Sequence, residues 1–375
     1  MPISREEFDL IRHYVHEHSG ILIADGKEYL IENRLNVLLV QSGCENYTEF
    51  HAKLQSDGGA LGVKVVDAMT TNETLWFRDA SFFSAMADFV VPELLKKGQK
   101  QPQVRIWSAA CSTGQEPYSI AMLIDHARRK MGTEAPALEK FQIFATDISP
   151  TALLVAKAGR YGQLAISRGM RPAFLERYFV AQANNLAYEV APTIRNLVTF
   201  QSFNLKDSFA AHGQFDLILC RNVLIYFSTE LKSDIYRKLH GALTADGLLA
   251  IGASESPRGF TADFDQVTLG SATMYRPRAT KAPLPASSAA AAPPRGIATT
   301  PPATTGTTSP AARVPTTAAG TVTPTRMPTA AGGVATPPGG RPASTPTPAK
   351  GVMPVGATPA TGTAAGARSA PPTLP

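Results

Sequence analysis

Four short stretches hold the side chains best suited to chemistry. "CSTGQEP" (111–117) joins a glycine-bearing turn to an acid, Glu116, and "FQIFATD" ends in Asp147. "FDLILCRN" ends in Arg221-Asn222, and "MTTNETLWFRD" (69–79) sets Asn72, Glu73 and Thr74 ahead of two aromatics and the Arg78-Asp79 pair. Gly114 lets backbone approach a ligand closely, and the helix start behind it offers free N–H groups. The loop lacks the GxGxxG spacing of a pyrophosphate cradle, which argues against a dinucleotide. Asp147 is placed to accept hydrogen bonds from both hydroxyls of a ribose, or to cap the helix starting at Pro150. Glu116, in a first helical turn, is either a dipole-stabilised surface acid or a partner for a ligand's ammonium. An adenosine bearing an amino-acid group uses an acid at each place. That chemistry points to S-adenosylmethionine (SAM).

These residues need a frame that brings strand ends together. "VRIWSAA", "FQIFATD", "FDLILCRN" and "GLLAIGASES" read as apolar strands, and helical stretches such as "SPTALLVAKAG" and "TELKSDIYRKLHGAL" alternate with them. That rhythm predicts an α/β fold with a Rossmann-like, doubly wound parallel sheet, closed by a hairpin of "FDQVTL" and "TMYRPR". Ligands of such sheets sit beyond the carboxyl ends of the strands. Around 170–200 the rhythm breaks. "YFVAQ" and "AYEVA" flank Asn184-Asn185, which predicts a small inserted β-hairpin.

Upstream, Phe8, Ile11 and Val15 recur at helical spacing, followed by Leu30, Ile31, Leu35 and Leu38, then Tyr47, Phe50 and Leu54. A fourth helix runs near Val63 to Met69, and Asp79 reads as the N-cap of a long helix bearing Phe82, Phe83, Met86, Val90 and Leu94. The expected organisation is an all-helical domain over 1–90, the α/β domain over 91–277 and a tail over 278–375. The tail is Pro, Ala, Thr and Gly without Asp or Glu, a composition that cannot build a packed core, so disorder is expected there.

Nine of the 36 Lys and Arg lie from Arg276 onward, leaving 27 against all 30 acids, a balance of −3. The basic character belongs to the tail and is no nucleic-acid signature of the folded part. Cys44, Cys111 and Cys220 are widely separated, as expected of reduced thiols rather than a zinc site or disulfide frame. No apolar run approaches the ~20 residues that span a bilayer, and the charged start is unlike a signal peptide. The expectation is a cytoplasmic monomer with no metal, no nucleic-acid partner and no membrane insertion.

"TTNETLWFRD", "IWSAACSTGQEPYSIAM", "ATDIS", "FNL" and "FDLILCRNVLIYF", in this order, closely resemble the chemotaxis receptor methyltransferases, the CheR family; "SGILIADGKEYLIENRL" is similar to that family's helical domain. The resemblance covers roughly 3–277. It implies transfer of the SAM methyl to glutamate γ-carboxylates on the cytoplasmic helices of chemoreceptors, leaving S-adenosylhomocysteine. Carried over by position, Asn72, Thr74 and Arg78 match the cofactor-contacting stretch, Glu116 the acid near the methionyl amino group and Asp147 the ribose acid. Asn204-Leu205 and Arg221-Asn222 match loops around the adenosine, and Tyr226 the tyrosine beside the transferred methyl.

Elementary chemistry agrees, because a glutamate with a pKa near ~4.3 is already anionic at neutral pH and needs no general base. Arg78 and Tyr226 are the expected pair that orients it; a packed aromatic and a salt bridge to Asp79 are the structural alternatives. The aromatics Trp76 and Phe77 are expected to wedge the two domains together. Lys27 and Arg34, on one side of a helix, either face the acidic receptor or form an ordinary solvated face. Residues 170–212 contain no Gly, unlike members that dock a receptor's C-terminal pentapeptide on this insert, so no such tether is expected. Two other functions stand against the enzyme: a non-catalytic protein responding to SAM or S-adenosylhomocysteine, and a small-molecule methyltransferase on the same sheet.

Overall fold

A computed structural model describes residues 2–57, 59–182 and 186–278. The Asn184-Asn185 turn and the tail beyond Arg278 lie outside the described residues. Helix α1 (Arg5–Ser19) opens with a capping box, in which Ser4 and Glu7 satisfy each other's free N–H groups. It stops at Gly20, whose left-handed backbone closes the last turn. Helices α2 (Glu28–Gln41), α3 (Tyr47–Ser56) and α4 (Ala60–Met69) pack with it around Phe8, Ile11, Ile31, Leu35, Phe50 and Val65. On α2 the buried stripe is Ile31, Leu35 and Leu39, while Leu30 and Leu38 stay half-buried at its edges.

After an extended joint, α5 (Ala80–Ala85) continues through a π-helical turn at Met86–Val90 into α6 (Val91–Lys100). The α/β rhythm follows with β1 (Val104–Ala109), α7 (Gln115–Met131), β2 (Phe141–Asp147) and α8 (Pro150–Ala158). Next come β3 (Arg160–Gly162), α9 (Gln163–Ser167), α10 (Pro172–Tyr178), β4 (Phe179–Gln182), β5 (Ala187–Val190) and α11 (Pro192–Arg195). The chain finishes with β6 (Val198–Ser202), β7 (Phe215–Cys220), α12 (Thr229–Ala242), β8 (Leu243–Ile251), β9 (Phe264–Leu269) and β10 (Ala272–Pro277).

The main sheet runs β6-β2-β1-β7-β8-β10-β9, parallel from β6 to β8 and antiparallel over the final hairpin. The chain winds outward from β1 to β2 and β6, then returns to the other side with β7 and β8. This reversal places the topological switch point, and hence the ligand crevice, at the carboxyl end of β1. β1 and β7 are almost wholly buried because apolar layers cover both faces, one including Ile106, Ile120 and Leu217 and the other Trp107, Ile218 and Ile235.

Three expectations change. The inserted element is three-stranded, in order β3-β5-β4, because Arg160–Gly162 also pairs with β5. β6 is a strand that apolar alternation did not announce; it is an edge, and most of its side chains are at least partly exposed. Trp76 and Phe77 do not wedge the helical unit against the sheet. Trp76 packs edge-on to Tyr161 and Phe179, and Phe77 to Phe83 and Phe174, all within the α/β core. Phe82, Phe83, Met86 and Val90 pack in that same core, and the last buried residue of the helical cluster is Met69.

Candidate active site at the strand ends

All ten residues expected in the centre line one cleft: Asn72, Thr74, Arg78, Glu116, Asp147, Asn204, Leu205, Arg221, Asn222 and Tyr226. Lys27 and Arg34 lie outside it. Lys27 is exposed, its Nζ 5.5 Å from the Tyr29 ring centroid. Arg34 is tied to the end of α4. Its Nη1 donates to the carbonyls of Met69 (2.7 Å) and Thr70 (2.9 Å), and Nη2 donates to Thr71 Oγ1 (3.1 Å). The C-terminal carbonyls of α4 are unpaired within the helix and carry its negative end, so a cation binds there.

The loop between β1 and α7 forms one wall. Gly114 has φ +93°, and a Cβ there would meet Ala156 Cβ at 2.9 Å and the Tyr161 hydroxyl at 3.1 Å, so glycine is required on both counts. Asp147 receives the Ser112 N–H (2.7 Å) on Oδ2 and the Ser149 N–H (2.9 Å) on Oδ1. Burial raises its pKa, against the opposing pull of these N–H groups. It does not cap α8; Ser149 does, accepting from the Ala152 N–H. Burial likewise pushes up the Cys111 thiol, which leaves it protonated and a poor nucleophile.

Glu116 is fixed from two sides, by the Ser108 hydroxyl (2.8 Å) and by Arg221 Nη1 (2.9 Å). Arg221, with 2% of its side chain exposed, also pairs with Asp79 and lies over the Phe82 ring with its Cζ 3.9 Å from the centroid. Asp79 occupies the N-cap position of α5 but makes no cap bond; its carboxylate goes to Arg221 instead. A salt bridge from Arg78 to Asp79 is therefore not what the structure shows. Arg78 is half-buried and donates from Nη1 to the Glu73 carbonyl (3.1 Å). Asn72 donates to Thr70 Oγ1 and Ser149 Oγ, both at 3.2 Å, and its carbonyl accepts from Ser112.

The helical unit supplies the opposite wall with Ser19 and Ile21. Asn204 donates to the His18 carbonyl (2.8 Å) and Lys206 to that of Glu17, so the loop after β6 caps the end of α1. The Leu22 N–H donates to the Tyr226 carbonyl (2.8 Å), and Ile21 bridges to Phe227. Tyr226 ends a short 3₁₀ turn, Leu224–Tyr226, with 36% of its surface exposed at the cleft. Sequence reasoning missed Ser19, Ile21 and Asp79 as parts of this site. It also missed Ser108, visible only as a small polar residue near the carboxyl end of β1.

Among the described residues, five that are not glycine have positive φ: Phe77, Asp79, Ala110, Ser112 and Asn222. Ala110, Ser112 and Asn222 line the cleft, and Phe77 and Asp79 flank Arg78. Such backbone costs on the order of 1–3 kcal/mol per residue and persists where surroundings enforce it, which is characteristic of functional centres.

The family described as "CheR methyltransferase, SAM binding domain" matches residues 72–272, and "CheR methyltransferase, all-alpha domain" matches residues 6–70. Chemotaxis protein methyltransferase 1 of Pseudomonas aeruginosa is 44% identical over 276 residues, which is 74% of this chain and 99% of that relative. Chemotaxis protein methyltransferase Cher2 of Pseudomonas putida is 43% identical over 277 residues, 72% of this chain and 97% of the relative. The chemotaxis protein methyltransferase of Vibrio parahaemolyticus is 40% identical over 276 residues, 73% and 98% of the two chains.

Proposed function

The chain belongs to the CheR methyltransferase family, and on that premise we propose how its own residues divide the work. It is a SAM-dependent protein-glutamate O-methyltransferase acting on chemoreceptors, and nothing favours the non-catalytic alternative. The observation that carries the residue assignment is a pair of inward-facing acids, Glu116 and Asp147, beyond adjacent strands. Both open on the cleft that holds Arg78 and Tyr226.

The donor set fits the cofactor. A carboxylate offers about four lone-pair sites, so the two N–H bonds on Asp147 leave acceptor capacity for ribose hydroxyls. Burial makes such donors the more valuable. Glu116, anchored by Ser108 and Arg221, holds the ammonium. Asn72, Thr74, Asn204, Leu205, Arg221 and Asn222 complete the enclosure. When bound, SAM supplies a methyl on a sulfonium, a good leaving group, so the protein's work is in-line positioning and exclusion of water. Arg78 and Tyr226 orient the incoming glutamate, which needs no base at its ordinary pKa of ~4.3. Ester formation removes the negative charge, so one arginine beside one hydroxyl aims the carboxylate without over-stabilising its ground state.

The partner is the cytoplasmic helical region of a chemoreceptor, with exposed Lys27 as a contact that adjusts affinity. The lack of Gly over residues 170–212 supports a member that docks no C-terminal pentapeptide on its insert. The reading includes a cytoplasmic monomer with no nucleic-acid partner and no membrane insertion; the −3 balance of the first 275 residues supports the second point. Among the described residues no helix is long and apolar enough to cross a membrane. The boundary between helical and methyltransferase units lies near residue 70, where one apolar cluster ends and the other begins.

Incubation with methyl-labelled SAM and receptor membranes tests the reading. Base-labile methyl esters on receptor glutamates are expected; cofactor binding with no ester formed would sink it.

A further inference from the structure

The segment from Arg221 to Tyr226 is anchored by the side chains of Arg221 and Leu224, but its backbone belongs to no strand or α-helix. It turns at Asn222 (φ +59°) and ends in the 3₁₀ turn that carries Tyr226. Four successive N–H groups in it point at one carboxylate. Glu255 Oε2 accepts from Asn222 (2.8 Å), and Oε1 accepts from Val223 (3.1 Å), Leu224 (2.8 Å) and Ile225 (3.3 Å). Oε2 also takes the Gly252 N–H at 2.7 Å. The first N–H groups of a helical turn lack partners within it, and a ring of them forms a concave site for an anion. Here the anion is built into the chain.

Gly252 is the second half of the arrangement. A Cβ there would lie 2.7 Å from both Asn222 Nδ2 and Glu255 Oε2, and 2.9 Å from Asn222 N. Only glycine leaves room for the carboxylate to reach the loop. Glu255 itself does not line the cleft.

We propose that Glu255 is a positioning residue for methyl transfer: its carboxylate gathers the N–H groups of 222–225 and so aims Tyr226 into the cleft. The inference rests on the reading of Tyr226 as the hydroxyl beside the substrate carboxylate. Glu255→Gln replaces one acceptor oxygen with an NH2 group that faces backbone N–H donors, so the loop must shift. Misplacement of about 1 Å costs on the order of 100-fold in rate.

The test is a cycle of Glu255→Gln and Tyr226→Phe, with kcat, receptor KM, SAM affinity and Tm measured for each variant. Glu255→Gln is expected to lower kcat about 10- to 100-fold in the native background and less than about 3-fold in the Tyr226→Phe background, where the hydroxyl is already gone. Gly252→Ala, made separately, is expected to show the same non-additivity with Tyr226→Phe and covers the case in which Glu255→Gln folds poorly. Multiplicative losses would mean that Glu255 supports the fold and does not act through Tyr226; an unchanged kcat in Glu255→Gln would overturn the inference as well. If Tyr226→Phe alone leaves kcat unchanged, the reading of Tyr226 fails and the inference falls with it.

Discussion

Replacing Arg78 with Met separates chemistry from stability more cleanly than any other change at this centre. Arg78 donates to the Glu73 carbonyl at 3.1 Å, and no carboxylate lies within ion-pair distance of it among the described residues. Loss of one partly solvated hydrogen bond costs about 0.5–1.5 kcal/mol, and Met retains the apolar stem. At about 2–4 °C per kcal/mol for a unit of this size, Tm should fall by no more than about 6 °C. Activity should respond differently. A charge-assisted bond to the substrate carboxylate is worth about 1.5–3 kcal/mol, and each 1.36 kcal/mol is tenfold, so kcat/KM for the receptor should drop about 10- to 200-fold. The assay is the initial rate of base-labile methyl ester formation on receptor membranes, with SAM affinity measured by calorimetry. An unchanged SAM affinity assigns Arg78 to the glutamate, and a weaker one by the same factor assigns it to the cofactor. Arg78→Lys keeps a point charge without the planar fork and should recover part of the loss. A kcat/KM within twofold of the native protein would refute the assignment, and a Tm loss above about 10 °C would show that Arg78 holds the fold instead.

Arg221→Met should destabilise strongly as well as disturb the cofactor side of the cleft. It leaves Glu116 and Asp79 without their shared cation, which costs about 3–5 kcal/mol for a buried pair, nearer the low end because Asp79 is 36% exposed. Differential scanning calorimetry should show a Tm lower by about 6–12 °C, partly restored by adding Glu116→Gln. SAM affinity should weaken as pH falls, from a higher pH than an ordinary carboxylate would give. Burial raises the Asp147 pKa, so the form lacking the anionic acceptor accumulates early on acidification. Titration calorimetry across pH checks this against Asp147→Asn, which should bind weakly and lose that dependence. Asn204→Ala removes the bond to the His18 carbonyl and should cost about 1 kcal/mol, with faster hydrogen exchange confined to the end of α1 and the segment to Leu22.

The parts of this fold that burial dictates were legible in the chain. β1, β2 and β7 are apolar runs with an acid, a turn or a polar dipeptide at their ends, and each lies where that pattern put it; β8 shares the apolar "GLLAI" but begins four residues earlier, at Leu243, and ends at Ile251. Elements held by edges were not legible. β6 exposes most of its side chains, and β3 is three residues long, so neither carries a periodic signal. At the centre, residue types drew attention to Glu116, Asp147 and Arg221 at strand ends, and the family resemblance supplied the other expected residues that line the cleft. Neither could identify which charges satisfy one another. Arg34 looked like a free cation beside Lys27, yet it reaches 35 residues along the chain to cap α4. Asp79 looked like a helix cap, yet its carboxylate serves Arg221.

The same distinction explains how a reaction without a general base can need so much structure. The residues proposed to aim the glutamate, Arg78 and Tyr226, stand on backbone with little regular pairing of its own: an extended joint next to Phe77 and Asp79 at positive φ, and a 3₁₀ turn near Asn222 at positive φ. Neither segment would hold its shape in isolation, since each contains conformations that cost on the order of 1–3 kcal/mol per residue. Both are fixed from the side by charged groups, buried Arg221 for one and part-buried Glu255 for the other. Arg221 donates to the Asp79 carboxylate and, at 3.1 Å, to the Arg78 carbonyl, and Glu255 collects the N–H groups of the turn. Arg221 also fixes Glu116, so cofactor and substrate sides of the cleft share one guanidinium. Positioning is the catalytic task that remains once the nucleophile is already ionised and the leaving group already activated. On the proposed reading Arg78 and Tyr226 carry that task, and Arg221 and Glu255 support it by holding the backbone on which they stand.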